Sequence, residues 1–230
     1  EAQELAGMLA TLVSYLRACE DGGISPEQAL PKIAVSLAVD DDQFLSLAKL
    51  RAARRLIWRV AEACGAGAVA RQIHLSAVSA WRMMAKRDPW TNIMRTTIAC
   101  AAAAFGGAQS ITLLPFTYAL GKTDSFARRV TRNIQVVLQE ESNLGRVADP
   151  AGGSWYVEKL TDDLAHKAWE LFQGIEAKGG IAAALTSGAL QDEIAAVVER
   201  RNKAIATGRI EVTGVSAFPL LGDDGVKAEP

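Results

Sequence analysis

Leu5, Met8, Leu9, Leu12, Val13 and Leu16 recur along the opening segment with polar residues between them, the spacing of one apolar face on a helix. The pattern predicts a helix over residues 1–20, stopped by Asp21-Gly22-Gly23. A short helix from Pro26 to Leu30 precedes Ile33–Val39, an apolar run of strand length. Asp40-Asp41-Asp42 then opens a helix to about Ala63, its carboxylates suited to the positive end of the dipole. Cys64–Gly67 reads as a loop and Ile73–Val78 as a second strand. Asp88-Pro89 is a strong break, because proline biases its predecessor away from helix. Asn92–Phe105 follows as a helix that is small and apolar nearly all round, hence buried, and Gly106-Gly107 ends it. Ile111–Phe116 reads as a strand buried on both faces, and Arg128–Glu141 as a basic helix. Beyond it lie a helix from Leu160 to Lys178 with Thr161 at its N-cap, a helix from Ile181 broken at Ser187-Gly188, and its continuation over Leu190–Ala206. Val212–Phe218 is a candidate last strand, and 221–230 a tail or the start of a linker.

Strands alternating with long helices define an α/β chain. The alternation fits part of a (β/α)8 barrel or an open doubly wound sheet. Three or four strands cannot close a barrel, so on the barrel reading residues 1–220 are its second half plus trailing helices.

Composition narrows the class. Half of the 230 residues are hydrophobic and the net charge is −1, which argues against a nucleic-acid or membrane-surface role. No apolar run reaches membrane-span length, and residue 1 already lies in an amphipathic pattern rather than a leader. Cys19, Cys64 and Cys100 are odd in number and far apart, so buried free thiols in a reducing, cytoplasmic setting are expected.

Candidate chemistry is sparse. Asp40–Asp42 suits helix capping better than a metal, because adjacent residues at a helix start diverge. Lys49–Arg55 reads as a solvated basic face over a core stripe. His74 reads first as a satisfied core histidine. Gln109, just past the glycines, could aim an amide at a ligand. Arg128, Arg129 and Arg132 are expected to pair with Glu140 and Glu141. No phosphate loop, nucleophile elbow or metal cluster is present in the sequence.

Several strings, in order, resemble the methylmalonyl-CoA mutase family: Lys49-Leu-Arg-Ala-Ala-Arg54, Asp88-Pro-Trp-Thr-Asn92, Arg95-Thr96, Phe105-Gly-Gly-Ala-Gln-Ser110, Ala127-Arg-Arg-Val-Thr-Arg-Asn133, Leu138-Gln-Glu-Glu141 and Asp149-Pro-Ala-Gly-Gly-Ser-Trp-Tyr-Val-Glu158. The resemblance spans essentially the whole chain. It implies the C-terminal half of a substrate-binding TIM barrel, in an enzyme where coenzyme A threads the barrel and adenosylcobalamin starts a radical isomerisation of succinyl- and methylmalonyl-CoA. The family's catalytic chain carries Arg-Leu-Ser where this one has Lys32-Ile-Ala34, and Arg-Thr-His-x-Gln-Thr-Ser-Gly where this one has Gln72-Ile-His-Leu-Ser-Ala-Val-Ser79. His74 and Gln109 are kept. The places of a His-Thr-Asn and a later Glu near the adenosyl group hold Thr112-Leu-Leu114 and Tyr118.

Removing polar groups from a site built to hydrogen-bond its substrate costs orders of magnitude in rate. The resemblance therefore implies the small, non-catalytic chain of a heterodimeric mutase, paired with a large chain that binds the cobalamin. No catalytic, cofactor or metal residue is assigned; Lys32, His74 and Gln109 are the candidate substrate contacts. The alternatives are part of an active acyl-CoA mutase of divergent specificity, or a barrel that binds acyl-CoA without turning it over.

Overall fold

The computed structural model describes residues 1–222 and 225–226. Helix α1 (Ala2–Asp21) and the one-turn α2 (Pro26–Ala29) lead to strand β1 (Ala34–Val39). Ser25 caps α2: its hydroxyl accepts from the Gln28 amide while the Gln28 side chain accepts from the Ser25 N–H. Asp42 caps α3 (Gln43–Ala63) by accepting from the Leu45 amide, the capping role expected of the acidic triplet. After α3 come β2 (His74–Ser79), α4 (Thr91–Phe105) and β3 (Ser110–Thr112). The three strands form a parallel sheet in the order β1-β2-β3, with Ala34 opposite His74 and Ser76 opposite Ser110. Helices α3 and α4 are its two crossovers. The mixed α/β class read from the alternation holds.

Among the described residues, only one face of the sheet is packed. Val35, Leu37 and Val39 of β1 and Leu75 and Ala77 of β2 are buried with Leu5, Leu9, Leu50, Ile57, Ala99 and Phe172 from the helix layer. Residues of opposite parity are exposed or half-buried, among them Ser36, His74, Ser76, Ser110 and Thr112. Gly106 marks the tightest approach in the helix layer, where an added Cβ would lie 2.9 Å from the Leu50 side chain.

The later part of the chain is helical: α5 (Ser125–Val136), α6 (Trp155–Ala177), α7 (Gly180–Thr186) and α8 (Ala189–Ala206). α6 packs on both α1 and α3. No single helix among the described residues is long and apolar enough to cross a membrane.

Several expectations need correction. β3 ends at Thr112 rather than Phe116, because the Leu114 amide is taken by the Ser79 hydroxyl and Pro115 has no N–H to give. Nor is it buried on both faces, since Ser110 and Thr112 are exposed. α6 starts at Trp155, five residues before Leu160, and Thr161 is buried inside it, accepting from Arg51, rather than capping it. The basic helix gives way to a π-helical turn over Val137–Glu141. Among the described residues, none of Arg128, Arg129 and Arg132 pairs with Glu140 or Glu141; Arg129 lies over Phe126 and Arg132 bonds Asn133. Cys64 is exposed and Cys19 half-buried, leaving Cys100 as the buried thiol. Four of the ten tail positions assigned to 221–230 are described, too few to test that boundary.

Val212–Phe218 is a turn with one bridge, Thr213 to Ala217, not a strand. Arg95 clamps it to the start of α4 by donating to the Thr213 carbonyl at 2.6 Å. Gly214 has φ +79° and a Cβ there would run into the Asp88 carboxylate. Gly214→Ala should therefore cost about 2 kcal/mol from strained φ and overlap, seen as a lower denaturation midpoint; shortening Asp88 to Gly in the same chain should recover part of it.

Candidate functional site

Of the residues singled out from the sequence, His74 lies on the outward sheet face. At the edge where strands begin, Lys32 is exposed in the 3-10 turn Leu30–Lys32, two positions before β1. His74 opens β2 on the outward face. It is exposed, with Nε2 2.8 Å from the Ser110 hydroxyl, so the expectation of a core histidine is overturned: the strand starts one residue later than Ile73, and Ile73 takes the buried position. The face between the edges carries the hydroxyls of Ser36, Ser76, Ser110 and Thr112, of which Ser76 donates to the Val35 carbonyl at 3.1 Å.

Gln109 lies elsewhere. One residue before β3, it turns to the helix layer, and its amide oxygen accepts from the Leu75 N–H at 2.7 Å and from Arg54 at 3.0 Å. Arg54 also donates to the carbonyls of Ile73 and Gly107 at 3.4 and 3.2 Å. Gln109 thus ties β2, β3 and α3 together. The structure puts His74 on the outward face and Gln109 on the helix side, while Lys32 stands exposed in the turn that precedes β1.

The solvated basic face is also corrected. Lys49 is 1% exposed and bonds Glu4 at 2.7 Å and Glu1. Arg51 grips Asp149 through both oxygens, at 3.0 and 2.9 Å, and Glu158 at 2.7 Å. These pairs anchor the loop around Pro150–Ser154, with Glu158 also accepting from the Gly153 amide. The Arg51 side chain is only 14% exposed, so Lys49 and Arg51 are internal fastenings, while Arg55 keeps the expected exposed position.

At the opposite edge, where strands end, a cavity of about 710 Å³ opens between the ends of β1 and β2, the start of α1, and α8. Charge around it is internally balanced. Burial alone would raise the Glu1 carboxyl, but the positive groups around it, Lys49 foremost, pull it down to about 2. Arg82 loses hydration, yet Asp40 and Glu1 hold its guanidinium above the ordinary value. Trp81 packs on Tyr118 with centroids 5.5 Å apart. Leu113 and Phe116 are buried, and Phe116 stacks on Trp90 at 4.8 Å.

Sequence reasoning missed the network of Glu1, Glu4, Asp40, Lys49 and Arg82. Its members are separated by up to 81 residues, and the local signal, a lysine on an otherwise apolar helix face, looks like ordinary amphipathicity. No group of three or more His, Cys, Asp and Glu among the described residues could hold a metal ion.

The family model described as Methylmalonyl-CoA mutase matches residues 1–227. The chain is 53% identical over 229 residues to the methylmalonyl-CoA mutase small subunit of Streptomyces virginiae, covering 100% of this chain and 37% of that protein. It is 41% identical over 231 residues to the methylmalonyl-CoA mutase small subunit of Propionibacterium freudenreichii subsp. shermanii, covering 100% and 36%. Similarity to the methylmalonyl-CoA mutase large subunit of Porphyromonas gingivalis is lower, 34% over 226 residues, covering 97% and 31%. The chain thus spans about a third of the length of these relatives.

Proposed function

The chain belongs to the methylmalonyl-CoA mutase family, and on that footing we propose that it is the C-terminal half, residues 1–220, of the TIM barrel in a mutase small subunit. In this reading it serves a cytoplasmic complex that interconverts succinyl- and methylmalonyl-CoA. It contributes structure, and a large partner chain carries the radical chemistry. The observation that carries the reading is the strand-end edge. Where the resemblance puts polar groups near the adenosyl moiety, this chain has Thr112-Leu-Leu114 and Tyr118, with Leu113 buried and Tyr118 packed on Trp81. Leu113 and Leu114 have no side-chain group with which to orient a radical intermediate by hydrogen bonds.

Adenosylcobalamin does not fit the donors of this chain. Its two histidines are His74, where strands begin, and His166, on the outer side of α6. Neither is near the strand ends, so no step is assigned through the cofactor, which belongs to the partner chain in this reading.

The outward face favours a second role on the same scaffold, holding acyl-CoA without turnover. Lys32 would meet a phosphate as a point charge, without the planar fork of arginine. His74, oriented by Ser110, would donate to or accept from the thioester arm, and Gln109 would act by fixing the strands rather than by touching substrate.

One preparation tests both. The full-length chain alone, given adenosylcobalamin and methylmalonyl-CoA, should neither turn over nor bind the cofactor, and turnover should appear on adding the large chain. Turnover by the isolated chain would overturn the structural role in favour of an active mutase of divergent specificity. For the second role, Lys32→Ala and His74→Ala should each weaken coenzyme A binding about tenfold, the worth of one charge-assisted hydrogen bond. Unchanged affinity in both would exclude that face as the site.

A further inference from the structure

A second cavity lies away from the sheet, on the outer side of the helix layer. It measures about 610 Å³ and opens between α3 and α6, over the 3-10 turn Gly67–Gln72 that enters β2. Its apolar surface comes from Trp58, Trp169, Ile57 and Ala165. Four arginines stand around it: Arg54, Arg55, Arg59 and Arg71.

Two of these cations are neutralised. Arg55 pairs with Asp162 and Arg59 with Glu62, each at 3.0 Å. The other two are not. Arg54 makes its bonds to neutral oxygens alone, the carbonyls of Ile73 and Gly107 and the amide of Gln109. Burial lowers its readiness to hold charge, the response of a cation losing hydration without a counter-ion. Arg71 has no carboxylate partner among the described residues. An apolar cavity of this size with a few convergent polar groups has the character of a small-molecule site, and here the excess charge fixes the sign of the ligand.

We propose that this cavity binds a small organic anion, an aromatic or compact apolar body lying against Trp58 and Trp169 with one phosphate or carboxylate held by Arg54 and Arg71. The two arginines differ in function. Arg54 is fixed by its three acceptors and presents a preorganised guanidinium, whereas Arg71 is exposed and closes on the anion. The site is independent of the outward sheet face, because Arg54 reaches it from the helix side, and the inference does not rest on the mutase reading.

Calorimetric titration of the full-length chain with phenyl phosphate, benzoate, inorganic phosphate and benzyl alcohol tests it. Phenyl phosphate or benzoate should bind at least about tenfold more tightly than both inorganic phosphate and benzyl alcohol, since either fragment alone loses one half of the contact. Arg71→Ala removes an exposed side chain without a carboxylate partner and should leave the thermal midpoint unchanged. It should weaken the aromatic anion about tenfold while leaving benzyl alcohol unaffected. Trp169→Leu should weaken the aromatic anion and leave inorganic phosphate unaffected. Equal affinity for the anion and the neutral alcohol, or an affinity that neither variant changes, would overturn the assignment; loss of coenzyme A binding elsewhere would leave this site's titration intact.

Discussion

Lys49→Ala should destabilise the protein by about 3–5 kcal/mol, the range for removing one partner of a buried ion pair. Lys49 is 1% exposed in the middle of α3, where a long cation has no route to water. It survives there because Glu4, at 2.7 Å, and Glu1 meet it from the start of α1. Glu4 is doubly engaged, since its other oxygen accepts from the Ala38 amide of β1 at 2.7 Å. Deleting the ammonium leaves Glu4 with no cation and Glu1 without its largest counter-charge. Urea denaturation of the full-length chain reads the loss, and Lys49→Met combined with Glu4→Gln should recover much of it, because a neutral pair needs no counter-charge.

The same network sets an acid limb. The Glu1 carboxyl is held at about 2 in the folded chain against an ordinary 4.5. A depressed carboxylate stabilises the fold above its unfolded value, and the contribution fades as pH falls from about 4.5 through about 2. Lys49→Ala should flatten stability against pH in that window. Identical acid limbs in the two proteins would show that Lys49 is not what holds the carboxyl down.

Asn92→Leu is the second large effect, about 3–4 kcal/mol at nearly constant volume. Asn92 is fully buried at the first turn of α4. Its amide nitrogen donates to the carbonyls of Ala85 and Phe116 at 2.8 and 3.0 Å, and its oxygen accepts from the Ala85 amide at 3.0 Å and from Arg95 at 2.8 Å. One side chain therefore joins the segment before α4 to the one after β3, and orients the arginine that holds the Thr213 turn. Leucine leaves three backbone groups, the Phe116 carbonyl buried and the two of Ala85 partly so, and a guanidinium short of partners. Hydrogen exchange should show the Ala85 amide losing protection even where global stability is restored with an osmolyte; retained protection there would mean the bond to Asn92 contributes little.

How much of this was legible beforehand differs by element. The helices α1, α3 and α4 and the strands β1 and β2 follow from periodicity and glycine stops, because each buries a continuous apolar stripe that a local window contains. β3 was overextended because an apolar run reads alike whether it pairs with a strand or packs as a loop; the Ser79 hydroxyl on the Leu114 amide decides it. The Val212–Phe218 segment failed similarly, its fate resting on Arg95 and Asp88 over a hundred residues away.

The sequence by itself determined the α/β class, the capping role of the Asp40–Asp42 triplet, and the family, since these reside in short strings. Only the tertiary structure decided which charges are buried and which site residues share a face: Lys49 inside, His74 outside, Gln109 turned toward Arg54. Parity along a strand is local, but the direction the first residue of that strand faces is set by packing against helices distant in the chain, and so is the neutralisation of a buried charge.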